Sequence, residues 1–153
     1  MSITRRKVLG NGAGLGAAAV VAGTFVGSSL PANAGMSEDL IAKFTGGAAT
    51  ASGKISLGAP EIAENGNTVP IEVTVESAMS DSDYVAEVIV IASGNPSPEV
   101  VIFKFTPSSG IAKASTRIRL AKTQDLIAIA KMSDGSFYQD SKTVKVTIGG
   151  CGG

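Results

Sequence analysis

The sequence predicts an all-β protein: an immunoglobulin-like antiparallel β-sandwich of about seven strands, with a short N-terminal helix and a flexible Gly-Gly-Cys-Gly-Gly arm at the C-terminus. Three observations predict it. From Lys54 onward, segment after segment alternates apolar and polar residues with a period of two. Glycine, proline and asparagine turn signals separate these segments at near-regular intervals. Helical spacing, by contrast, shows in only one short stretch before Gly46-Gly47.

The first thirty-four residues read as an export signal and stand outside the fold. Arg5 and Arg6 form a twin-arginine pair in a basic start, followed by a long Gly/Ala/Val stretch and Leu30-Pro31-Ala32-Asn33-Ala34. Ala32 and Ala34 make the small-x-small pattern of a signal peptidase site. The apolar stretch is long enough to serve as a membrane anchor. Its glycine content and the cleavage site favour removal, which leaves residues 35–148 as the domain and 149–153 as the arm. Of 13 basic and 13 acidic residues, the signal holds three basic and no acidic ones, so the mature chain is acidic by three charges. It has no basic run, which gives no reason to expect nucleic acid or an anionic membrane as a partner.

The elements follow in order. Ser37 is placed to N-cap a helix, Glu38 and Asp39 suit its positive end, and Leu40, Ile41 and Phe44 form its apolar stripe. A small-residue stretch over residues 46–53 links it to the first strand at Lys54–Leu57. Residues 59–67 form a loop with a turn at Asn65-Gly66. Val69, Ile71, Val73 and Val75 alternate with polar residues in the second strand. Strands at 84–93, 99–106 and 111–120 are separated by Asn95-Pro96-Ser97-Pro98 and by Pro107-Ser108-Ser109-Gly110. The last two, 125–132 and 136–148, meet across Asp134-Gly135, a strong hairpin signal. Val85–Ala92 and Leu126–Ala130 are apolar on nearly every residue, so the face turned away from the core needs a cover, either the helix or a partner.

Conventional catalytic chemistry has no foothold. The chain has no histidine, which removes Ser-His-Asp and Cys-His arrangements, and no phosphate-cradling loop. Glu72, Glu76, Asp81 and Asp83 fall on strand surfaces or in turns as solvated carboxylates. With one cysteine and no histidine, neither a metal site nor a haem site is expected.

The sole cysteine, Cys151, stands between Gly149-Gly150 and Gly152-Gly153. No intramolecular disulfide is open to it, so in an oxidising compartment it is a reactive thiol or a link to another molecule. Glycines without side chains offer nothing for packing to hold, and five extended residues reach roughly 17 Å. No cation lies close in sequence, so an ordinary thiol pKa of about 8.5 is expected, with only a few per cent thiolate at neutral pH. A thiol that relies on another protein for its activation suits a carrier. Twin-arginine export carries folded proteins; with no cofactor to load, a co-exported subunit explains the route.

The twin-arginine start, the stretch GKISLGAPEIAENGNTVPIEV (residues 53–73) and the GGCGG terminus together resemble the SoxY family of sulfur-oxidation proteins over essentially the whole chain. The resemblance implies a periplasmic, non-catalytic carrier subunit that pairs with a SoxZ-type subunit and holds no cofactor. It implies that Cys151 is the covalent attachment point for sulfur and that Gly149, Gly150, Gly152 and Gly153 are a swinging arm. A cytochrome c enzyme would conjugate thiosulfate to the thiol, a metal-dependent hydrolase would release sulfate, and a sulfane dehydrogenase would take the remaining sulfur. Two other readings stay open at this point. Gly152-Gly153 resembles the end of ubiquitin-like sulfur carriers, which use the terminal carboxylate, although export and strand count speak against it. An exported structural or adhesive sandwich would use Cys151 as a crosslink.

Overall fold

A computed structural model of the protein describes residues 32–150, with side chains from residue 35 onward. The signal residues Arg5 and Arg6, and Cys151, Gly152 and Gly153 of the tail, lie outside the described residues.

Helix α1 (Ala32–Thr45) opens the described chain. It begins upstream of Ser37, which therefore lies inside the helix and buried rather than at its N-cap. Cleavage after Ala34 would fall within the first turn. At the other end, Gly46 and Gly47 take positive φ of 64° and 82°, and the Gly47 amide returns to the Ala42 carbonyl at 3.1 Å. That is a Schellman stop, and it explains why two glycines follow the helix.

Seven segments form the expected strands: β2 (Ile55–Gly58), β4 (Val69–Val75), β5 (Val85–Ala92), β6 (Glu99–Lys104), β7 (Ala112–Ile118), β8 (Gln124–Met132) and β9 (Phe137–Ile148). Two further short strands occur among the described residues, β1 (Thr50–Ala51) and β3 (Ile62–Asn65). Both lie in stretches the sequence reads as linker or loop, and both pair parallel with β9, β1 against Phe137–Tyr138 and β3 against Lys145–Ile148. The rest of the pairing is antiparallel, so the sandwich is mixed at this one strand. β1 and β3 are legible only in three dimensions, because β1 buries nothing fully and β3 buries Ala63 alone.

The larger sheet runs β1-β9-β8-β5-β6, with β3 beside the far half of β9; the smaller runs β2-β4-β7. Between them Ile55, Leu57, Val69, Val73 and Val75 meet Val88, Val90, Leu126, Ala128 and Val144. Burying each such side chain is worth roughly 1.5–3 kcal/mol, and the two inner faces form the main core.

Alternate residues of β5 and β8 point the other way, which is why Val85–Ala92 and Leu126–Ala130 are apolar on nearly every residue. Ile89, Ile91, Ile129 and Phe137 on this outer face pack against Leu40, Ile41 and Phe44 of α1. Phe44 meets Phe137 edge-on, with ring centroids 6.0 Å apart at 69°. Of the two covers the sequence left open, the helix is the one that seals this face. Among the described residues, no helix is long and apolar enough to cross a membrane.

Candidate functional site at the C-terminal exit

β9 delivers the chain end to one end of the sandwich. Its last residues are gripped on both sides. β3 pairs with Lys145, Val146 and Ile148, while Val146 N–H donates to the Thr123 hydroxyl at 2.9 Å. The loops at residues 66–68, 93–98 and 119–123 converge on this end, since the termini of β3, β4, β5, β7 and β8 lie together in register there.

Gly149 and Gly150 do not hang free from that end. The Gly66 amide donates to the Ile148 carbonyl at 2.7 Å, the Leu120 amide donates to the Gly66 carbonyl at 2.8 Å, and the Gly150 amide donates to the Leu120 carbonyl at 2.8 Å. Three backbone segments, distant in sequence, are thus laced together by a chain of hydrogen bonds. Gly66 and Gly150 are both buried. The expectation that nothing holds these first two arm glycines fails for a physical reason: lacking side chains, they allow backbone to approach backbone, and hydrogen bonds replace packing. A Cβ on Gly150 would lie 2.7 Å from the Gly66 carbonyl oxygen and 2.9 Å from its carbon. A Cβ on Gly149 would run into the Ala121 carbonyl oxygen.

Gly66 was legible as a turn residue, and Asn67 N–H does donate to the Asn65 side-chain oxygen at 2.9 Å, as in an Asx turn. Its glycine identity has a second cause. A Cβ there would collide with the Leu120 carbonyl oxygen and lie 2.7 Å from the Gly150 nitrogen. Its φ is not in the left-handed region, so close approach rather than dihedral angle requires glycine.

The residues beneath Leu120 carried no functional signal in the sequence. Asn95, read as one more turn residue, is 0 % exposed. Its Nδ2 donates to the Arg119 carbonyl at 2.8 Å, and its Oδ1 accepts from Ala121 N–H at 3.0 Å and from Gln124 Nε2 at 2.8 Å. Gln124, also buried, reaches the Lys122 carbonyl and accepts from Gly94 N–H. No buried side-chain N or O atom among the described residues lacks a partner. This polar knot stiffens the 119–124 connection from inside.

The connection that contacts Gly149 and Gly150 carries the exposed Arg119 and Lys122, and the exposed Arg117 is the next-to-last residue of the preceding strand. The carboxylates noted in the sequence lie elsewhere. Glu72 pairs with Lys113 at 3.1 Å across β4 and β7, and Asp81 and Asp83 sit exposed in the β4–β5 connection. Among the described residues no three or more histidine, cysteine, aspartate or glutamate side chains gather as a metal site.

The family described as "Sulfur oxidation protein SoxY" matches residues 41–151, a span that ends on the cysteine. Among solved structures, the sulfur carrier protein SoxY of Chlorobium limicola f thiosulfatophilum is similar at 30% identity and a TM-score of 0.63, covering 74% of this chain and 94% of its own. The superoxide reductase (neelaredoxin) of Ignicoccus hospitalis follows at 17% identity and a TM-score of 0.55, covering 61% of this chain and 80% of its own. A putative superoxide reductase of Thermotoga maritima gives 19% and 0.52, covering 67% and 89%. These two share the sandwich fold with this chain. Comparison with curated protein sequences gave no match. The family match over most of the chain, its extension to Cys151 and the like fold of the Chlorobium protein agree, and the chain belongs to the SoxY family of sulfur-oxidation proteins.

Proposed function

We propose that this protein is a non-catalytic sulfur carrier, with Cys151 as the point of covalent attachment, presented from one fixed end of the sandwich. The observation that carries the reading is the seat of Gly150: the residue before the only cysteine is held by a backbone hydrogen bond to Leu120, at the end where the family match also stops. The Chlorobium relative is described as a sulfur carrier protein, which supports the same role here.

In this reading the thiol joins thiosulfate through a new S–S bond. Two electrons and the thiol proton leave, the electrons to a cytochrome c enzyme. Hydrolysis of the resulting S-thiosulfonate releases sulfate and leaves a persulfide, and a sulfane dehydrogenase removes the remaining sulfur. A SoxZ-type subunit is the stable partner, and the pair is exported folded to the periplasm through Arg5 and Arg6, with cleavage after Ala34. Gly152 and Gly153 keep the terminus slim beyond the thiol. Arg119 and Lys122 place positive charge at the end of the sandwich where an anionic adduct would be presented.

Non-reducing intact mass of the protein from its native compartment, with mapping of the C-terminal peptide, tests this. The expected result is thiosulfate or sulfane sulfur on Cys151, removable by reductant, and loss of sulfur turnover in Cys151→Ser. A bare thiol, or only a symmetric Cys151 disulfide when thiosulfate is supplied, would favour the crosslinked sandwich instead.

A further inference from the structure

We propose that Asn95 is a positioning residue for Cys151. By holding the backbone on both sides of Leu120, it holds the carbonyl that seats Gly150 and so fixes the point from which the cysteine leaves the sandwich. The functional consequence rests on the carrier reading above; the positioning itself does not.

The relay is short and made of bonds already described. Asn95 grips residues 119 and 121, through its Nδ2 to the Arg119 carbonyl and its Oδ1 from the Ala121 amide. Leu120 lies between them with its side chain 0 % exposed, and it uses both backbone groups, N–H to Gly66 and carbonyl to Gly150. One buried side chain therefore sets one peptide, which sets Gly150, and the next residue is Cys151.

The amide side chain is specific to this task. It must donate to one carbonyl while accepting from two N–H groups, and an amide offers both functions in one plane. Aspartate would turn an oxygen toward the Arg119 carbonyl and lose the donor. Alanine would leave the Ala121 amide and a Gln124 proton without their acceptor in a buried site. Either change frees the 119–121 segment while the β5, β8 and β9 ladders keep their own bonds.

The test uses the full chain and two readouts that a merely stabilising residue would not move together. Amide hydrogen exchange is followed residue by residue, and a nitroxide is attached to Cys151, which labels one site because the chain has one cysteine. In Asn95→Ala and Asn95→Asp, the amides of Gly66, Leu120 and Gly150 should exchange about tenfold faster or more, with those of Val88 and Ala128 unchanged. The nitroxide should gain a faster-moving component. Unchanged exchange at Gly150 in a folded Asn95 variant would overturn the proposal. Should exchange rise everywhere because the fold is lost, Gly150→Ala decides, since its Cβ would meet Gly66 at 2.7 Å without touching the Asn95 knot. A nitroxide spectrum identical to wild type would then refute the seat, and a faster one would support it. Sulfur loading measured on the same variants separates the two ideas. A persisting sulfur turnover in Cys151→Ser sinks the carrier reading alone, whereas the exchange data judge Asn95 on their own.

Discussion

Replacing Gly66 by alanine adds one methyl group, and the structure says it is among the most damaging single methyls the sandwich could receive. The new Cβ would collide with the Leu120 carbonyl oxygen and stand 2.7 Å from the Gly150 nitrogen, both of them backbone atoms that cannot rotate aside. Relief requires residues 66, 120 and 150 to part, and that breaks the three hydrogen bonds Gly66–Ile148, Leu120–Gly66 and Gly150–Leu120. Each is worth about 0.5–1.5 kcal/mol net, so a loss of about 2–4 kcal/mol is expected. Gly58→Ala is the internal control. Its φ is not in the left-handed region, and its Cβ would meet the Glu72 Cβ at 3.5 Å and the Glu72 carbonyl oxygen at 3.6 Å, ordinary contacts. It should be neutral or gain about 0.4–1 kcal/mol through the unfolded chain. Urea unfolding followed by circular dichroism measures both. With a slope of about 1–3 kcal/mol/M, Gly66→Ala should lower the midpoint by on the order of 1–2 M at unchanged slope. A Gly66→Ala midpoint equal to that of Gly58→Ala would refute the claim that close backbone approach dictates this glycine.

Two further outcomes follow from the fold. Phe44→Ala removes the ring that meets Phe137 and part of the cover over Ile89 and Ile129; it should cost about 2–3 kcal/mol and increase binding of a hydrophobic dye before unfolding, and absence of both would mean that α1 is not the seal of that face. Asp134 in the β8–β9 turn accepts from the Ser136 hydroxyl and amide at 2.6 and 2.8 Å, and these bonds hold its carboxyl below the ordinary aspartate value. A depressed folded pKa stabilises above the unfolded value and loses that contribution as pH falls through the folded one. The gap in urea midpoint between wild type and Asp134→Ala should therefore narrow as pH drops from about 5 to about 2, and a gap independent of pH would contradict this assignment.

Features written in neighbouring residues were legible in the chain alone. The period-two alternation of Val69, Ile71, Val73 and Val75 marks a strand without reference to anything else in the chain, and Asp134-Gly135 marks its hairpin. Double-sided apolarity in β5 and β8 announced a covered outer face, and a lone cysteine between glycine pairs singled out the tail. How Gly149 and Gly150 are held is visible only in three dimensions. β1 and β3 join β9 through parallel backbone pairing that leaves almost no alternation to read. Asn95 acts on residues 24, 26 and 29 positions away. Gly66 has to be glycine because of carbonyl and amide atoms from the β7–β8 connection and the chain end. The physical reason is common to all of these. Every residue but proline carries the same backbone donor and acceptor, so contacts made through them have no side-chain signature, and only the folded register brings Gly66, Leu120 and Gly150 to one point.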